Sequence, residues 1–194
     1  MKLLNKILGT EWRERLYVWT HLKRGDVFFD VGAGDGVYSK LAKRRVARVV
    51  AFEPQDKIPI KGVIWNQIAL DKESGWATLY INKIDQMTGL GNTKRGKIIG
   101  EKKVKTITLD EYARSSGHIP NFIKIDTEGF EGRILEGATE TLKLHPLILC
   151  ELSPKNYKGL GYSIEEVKDF MQKKGYRIVQ PWGFASYNFV FKPK

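Results

Sequence analysis

Val31-Gly32-Ala33-Gly34-Asp35-Gly36-Val37-Tyr38-Ser39-Lys40 follows the apolar run Val27-Phe28-Phe29-Asp30 and leads into a helical pattern. Three readings fit a glycine turn between a strand and a helix: a cradle for a nucleotide's phosphates, a seat for a methyl donor, or a plain tight turn. The register separates the first two. Gly32, Gly34 and Gly36 are spaced G-x-G-x-G, whereas the dinucleotide fingerprint is G-x-G-x-x-G, and position 37 is valine. A P-loop needs Gly-Lys-Ser/Thr at its end, and none follows.

Charge points the same way. Asp30 ends the strand and Asp35 sits among the glycines, where carboxylates would repel a pyrophosphate. They suit a ligand carrying cations, and S-adenosylmethionine has a sulfonium and an ammonium with no phosphate. The next apolar run, Arg48 to Glu53, ends in an acid about 20 residues on, where a carboxylate accepts from ribose hydroxyls. Asp30, the three glycines and Glu53 at two consecutive strand ends together favour the methyl donor over the plain turn.

Outward from this corner the chain alternates strands and helices. Val63 to Ala69 reads as a third strand, and Trp76 to Ile81 as a hairpin-like piece entered through Gly75. Val104 to Leu109 alternates and stops at Asp110, read as the N-cap of a helix over 111–115. Phe122 to Asp126 and Pro146 to Glu151 are compact strands, separated by a helix marked by Ile134, Leu135, Ala138 and Leu142. Ser163 and Glu166 form a capping box for a helix with Ile164, Val167, Phe170 and Met171 turned inward. Tyr176 to Gln180 and Tyr187 to Phe191 have no helix between them, which predicts a closing antiparallel hairpin. The pattern specifies an α/β fold: a doubly wound, Rossmann-like, mostly parallel sheet that binds ligands at its carboxyl edge.

The chain has 194 residues, 42% of them hydrophobic and 28% charged, the balance of one soluble globular domain. No apolar run approaches the ~20 residues that span a bilayer. The N-terminal stretch is broken by charges and lacks a signal-peptide core, so a cytoplasmic location is expected. Cys150 is alone in an apolar run, which excludes an intrachain disulfide and predicts a buried thiol. Residues 1–24 carry Leu4, Leu8, Trp12, Leu16 and Trp19 at helical spacing, read as an amphipathic helix packed on the core. Residues 25–194 form the single domain, and the segment around 82–105 reads as a basic Gly/Lys-rich insertion, either a mobile loop over the acceptor or an unordered one. A net charge of +11, clumped at 43–45, 94–105 and 173–174, leaves nucleic acid open as a partner.

Several stretches resemble one family. GDVFFDVGAGDGVYS, VVAFEP, QIALDKESG, VKTITLDEY, FIKIDTEGFEGRILEGA and LILCEL, spread from Gly25 to Leu152, are similar to the FkbM-type S-adenosylmethionine-dependent methyltransferases. The resemblance implies O-methylation of a hydroxyl on a sugar, glycan or natural product. It places Asp30, Gly32, Gly34 and Gly36 at the methionine part of the cofactor, Glu53 at the ribose, and Ile68, Ala69 and Leu70 near the adenine. Ala33, Asp35, Tyr38 and Pro54 complete the expected cofactor wall. Many relatives carry asparagine where this chain has Asp35.

A hydroxyl acceptor must lose its proton, which calls for a general base or a metal. Lys124, Asp126, Glu128 and Glu131 crowd one strand end, and Glu151 ends the next strand. Asp126 and Glu128 are the first candidates for base or acceptor positioning, with Lys124 and Glu151 beside them. Glu131 reads as a helix-dipole partner and Gly129 as a turn residue. Magnesium on Asp126, Glu128 and Glu151 is a further reading that spacing leaves open. Two alternatives stand beside sugar O-methylation: an RNA 2′-O-methyltransferase, and a basic adaptor that keeps the fold without turnover.

Overall fold

The computed structural model describes residues 11–93, 96–157, 160–181, 183–185 and 187–194. Leu4 and Leu8 of the expected N-terminal stripe, and Lys94, lie outside the described residues. Ten strands are described: β1 (Val27–Val31), β2 (Arg48–Phe52), β3 (Ile64–Asn66), β4 (Ala69–Leu70), β5 (Gly75–Asn82), β6 (Ile98–Ile107), β7 (Phe122–Ile125), β8 (Leu147–Glu151), β9 (Tyr176–Val179) and β10 (Asn188–Pro193). The helices are α1 (Trp12–His21), α2 (Val37–Ala42), α3 (Leu109–Ser116), α4 (Glu131–Glu136), α5 (Thr139–Leu142), α6 (Pro154–Tyr157) and α7 (Ile164–Lys173).

Seven strands form the main sheet in the order β3-β2-β1-β7-β8-β10-β9. The first five are parallel, and β10 inserts antiparallel between β8 and β9, so the closing hairpin is present. The strand order reverses between β1 and β7. This switch point opens a crevice at the carboxyl ends of those strands, where doubly wound sheets bind ligands.

The central strands are largely apolar because both faces of the sheet are covered, with Asp30 in β1 and Lys124 in β7 as interruptions. Phe29, Val31, Val50, Phe52, Ile123, Ile125, Ile148 and Cys150 build the larger core on one face. On the other face Phe28, Val49, Phe122 and Leu149 pack with Val18 and Leu22 from the α1 region and with Tyr38 and Ala42 of α2. Each fully buried phenylalanine contributes about 1.5–3 kcal/mol relative to exposure. Asp30 and Lys124 sit on this second face as register partners in β1 and β7, a placement that matters below.

Several local expectations are corrected. The third strand breaks at Gln67: β3 pairs with β2, while β4 leaves for a separate three-stranded sheet ordered β4-β6-β5. The basic insertion is not an unordered loop over its described second half, since β6 pairs antiparallel with β5 from Ile98 to Thr106. Thr108, not Asp110, caps α3, accepting from the Glu111 N–H at 3.0 Å. The Asp110 carboxylate instead accepts from the N–H groups of Glu140 and Thr141 at 2.9 and 2.8 Å, capping the short α5 from the neighbouring helix.

α1 is a helix, but its buried side is Glu14 and Val18, continued by Leu22, while Leu16 is 50% exposed. Glu14 is held there by the Ala185 N–H and the Asn188 amide. In α2 the buried residues are Tyr38, Ser39 and Ala42, and Val37 is left half-exposed. The Ser163–Glu166 capping box of α7 is complete. Among the described residues no helix is long and apolar enough to cross a membrane.

Candidate active site at the strand ends

A cavity of about 440 Å³ occupies the crevice, within the size range of small-molecule sites. Gly32, Ala33, Gly34, Asp35 and Tyr38 line its floor. Glu53 and Pro54 follow from the end of β2, and Ile68, Ala69 and Leu70 form an apolar side. Lys124, Asp126, Glu128 and Glu151 face it from the ends of β7 and β8. Fourteen of the sixteen residues singled out from the sequence therefore converge on one space.

Asp30 and Gly36 do not line it. The sheet pleat turns Asp30 onto the face covered by α2, where its Oδ2 accepts from Ser39 Oγ at 2.6 Å and the residue is 1% exposed. Burial raises its carboxyl above the usual range, against the opposing pull of Lys124. Gly36 enters α2 with φ +69°, and a Cβ there would strike the Ile60 side chain, so this glycine serves the turn.

The turn itself is tied to Glu53. The Gly34 N–H donates to Glu53 Oε2 at 2.7 Å and the Gln55 N–H to Oε1 at 2.9 Å. Burial raises the Glu53 carboxyl, and those two N–H groups oppose the rise. Gly34 has φ +52° and nothing within 4 Å of where its Cβ would stand, so its backbone lies open to a ligand. On the rim, Lys57 bridges Asp35 at 3.2 Å and Asp85 at 2.5 Å, joining the glycine turn to the segment after β5.

The chemistry-bearing end is built around Asp126. Lys124 Nζ lies 2.9 Å from Asp126 Oδ2 and 4.9 Å from the centroid of the Tyr38 ring. Burial works to lower the lysine, but Asp126 and Asp30 outweigh it and hold the ammonium charged. Burial would raise Asp126; Lys124 and a hydrogen bond with Glu151 prevail and lower it. Glu151 takes the opposite course: burial, then the charge of Asp126, push it up to about 9. Two carboxyls in contact cannot both ionise readily, so the pair titrates together, with Glu151 the partner pushed up and Asp126 the one held down.

Beyond Asp126 the chain makes a sharp turn. Glu128 has φ +57°, a region that non-glycine residues seldom adopt. Gly129 at φ +110° passes so close to Leu160 and Asn156 that a Cβ would not fit. Glu131 organises the turn, with Oε1 accepting from the Thr127 and Gly129 N–H groups at 2.8 and 3.1 Å and Oε2 from the Tyr157 hydroxyl at 2.9 Å. It is 1% exposed, and its role is to hold Glu128 in this strained, site-facing conformation. Asp126, Glu128 and Glu151 bring one carboxylate oxygen each within 4.8 Å of one another.

The sequence reading missed part of the wall. Glu11, Val37, Leu79, Asp85 and the stretch Thr88 to Leu90 also line the cavity. Leu79 is legible only as an inward position of β5. Glu11 carries no local signal, because it reaches the site through the docking of α1.

The model of the methyltransferase FkbM domain matches residues 30–178. The chain belongs to the FkbM methyltransferase family. The hexuronic acid methyltransferase AglP of Haloferax volcanii is 29% identical over 140 residues, covering 66% of this chain and 56% of that protein. A solved FkbM methyltransferase from Methylobacillus flagellatus KT superposes with a TM-score of 0.53 at 14% identity, covering 93% of this chain and 51% of that one. The second likeness shows the shared fold, and this FkbM chain spans about half the length of both proteins. Its matched region contains the glycine turn, Glu53, Lys124, Asp126, Glu128 and Glu151, and leaves Glu11 outside.

Proposed function

We propose that this chain is an S-adenosylmethionine-dependent O-methyltransferase whose acceptor is a hydroxyl of a sugar, glycan or related natural product. The observation that carries the proposal is the clustering of Asp126, Glu128 and Glu151 beside Lys124 in the same cavity as the glycine turn. The open backbone at Gly34, the carboxylate of Glu53 and the apolar side at Ile68 to Leu70 fit a nucleoside with a cationic tail better than a phosphate ester. Gly32 to Gly34 would hold the methionine part and Glu53 the ribose. Once bound, such a donor supplies an electrophilic methyl carbon.

The remaining chemistry falls to the protein. Asp126, kept ionised by Lys124, would accept a hydrogen bond from the acceptor hydroxyl and take its proton as that oxygen is methylated. Glu151, already protonated, donates to Asp126 and keeps it oriented. Glu128 contributes a second acceptor oxygen for a neighbouring hydroxyl, which favours polyhydroxyl substrates. Positioning supplies the rest of the rate, since methyl transfer is an in-line displacement. The sugar acceptor is supported by the likeness to AglP, whose name states a hexuronic acid substrate.

Calorimetric titration with S-adenosylhomocysteine tests the donor half. Binding to the wild-type protein, weakened in Glu53→Ala, is expected; no binding, or an unchanged affinity in the variant, contradicts it.

A further inference from the structure

The donor's amino-acid end needs an anion for its ammonium, and of the two acids in the glycine motif Asp30 is turned away while Asp35 is bridged by Lys57 at 3.2 Å on the rim. Asp30 lies beneath α2, bonded to Ser39, and does not reach the cavity. Lys124 already occupies Asp126 at 2.9 Å. Glu11 lines the same cavity, and its carboxylate accepts a hydrogen bond from Tyr38 Oη at 3.1 Å. Tyr38 itself belongs to the first turn of α2, directly after the glycines.

Glu11 is not a loosely tethered end. Residue 11 opens α1, and the helix is clamped by fully buried Val18, by Leu22, and by buried Glu14 bonded to the Ala185 N–H. Tyr17 packs edge-on against Phe184 at 5.5 Å, fixing the same helix to the turn before β10. Its charge is felt within the site: after burial, Glu11 is the next influence raising the Tyr38 phenol, and it helps keep Lys124 protonated.

We propose that Glu11, a residue outside the matched 30–178 core, binds the ammonium of the donor's amino-acid end, so that α1 completes the donor pocket. This inference rests on the S-adenosylmethionine reading of the cavity. The N-terminal helix thereby makes donor binding depend on its own docking.

Calorimetry with three ligands tests it: S-adenosylhomocysteine, its decarboxylated analogue that keeps the amine, and 5′-methylthioadenosine, which lacks the amino-acid end. Glu11→Gln is expected to weaken the two amine-bearing ligands about tenfold or more, as for a lost charge-assisted hydrogen bond, and to leave methylthioadenosine unchanged. Unchanged methylthioadenosine binding also shows that the variant is folded. Equal affinity of wild type and variant for S-adenosylhomocysteine overturns the proposal, as does parallel loss of all three ligands. Failure of the wild type to bind any of the three overturns the cofactor reading together with it.

Discussion

Gly32 and Asp126 meet backbone to backbone at the switch point: a Cβ on residue 32 would collide with the Asp126 carbonyl oxygen. The glycine turn and the acid-bearing strand end are thus a single junction, also tied by the Asp126 N–H donating to the Val31 carbonyl at 3.1 Å. Gly32→Ala is expected to push β7 away and lose the folded site. Gly34→Ala places a methyl in open space at φ +52°, and should cost only about 1–2 kcal/mol of stability while blocking the donor. Thermal melts with S-adenosylhomocysteine titrations separate the two; tight binding by folded Gly34→Ala would contradict the assignment of the cavity floor.

Stability should depend on pH through Glu151. The ordinary glutamate value is 4.5, whereas folded Glu151 keeps its proton to about 9. Between those values the folded chain holds one proton more, so stability falls as pH rises across the window. Asp126, lowered in the fold, acts oppositely on the acid side, its contribution present above its ordinary value of 3.8 and lost as pH falls through the lowered one. Denaturant unfolding at pH 5, 7 and 9 should show a steeper decline for wild type than for Glu151→Gln. Parallel profiles would remove the shared proton.

Asp110 illustrates a residue that matters for the fold without touching the site. Its carboxylate accepts from the Glu140 and Thr141 N–H groups and from the Thr141 hydroxyl. Asp110→Ala should cost about 1–2 kcal/mol, the range of a lost helix cap, with donor affinity unchanged. A large affinity loss would mean that the α5 end communicates with the cavity.

Removing divalent metal should leave methyl transfer unchanged. Lys124 already neutralises Asp126, and Glu151 carries a proton that a hard cation would have to displace. Transfer abolished by a chelator and restored by magnesium would make Asp126, Glu128 and Glu151 a metal centre instead.

The parts legible in the sequence were those set by short-range pattern. Buried parallel strands announce themselves as apolar runs, and strand-end acids stand next to them, so the location of Glu53, Asp126 and Glu151 at the cavity is legible. Pleat direction was not legible: Asp30 sits one residue from the edge and points to Ser39 instead of the cavity. The cap of α3 was misassigned because Thr108 and Asp110 are both capping residues, and only tertiary packing gives Asp110 to α5. The end of β6 is legible in the alternation from Val104, but its first half is not, because Ile99, Glu101 and Lys103 face solvent and give no inward pattern. Glu11 was invisible for a different reason, since its place depends on contacts between α1 and the far end of the chain.

The most direct test is transfer of a labelled methyl group from S-adenosylmethionine to a panel of sugars and glycans, with Asp126→Asn beside the wild type. The expected result is a methyl ether at a hydroxyl oxygen, and a rate about a hundredfold or more lower in the variant, the usual size of a lost general base. Donor binding with no transfer to any hydroxyl, or undiminished transfer by Asp126→Asn, would contradict the account.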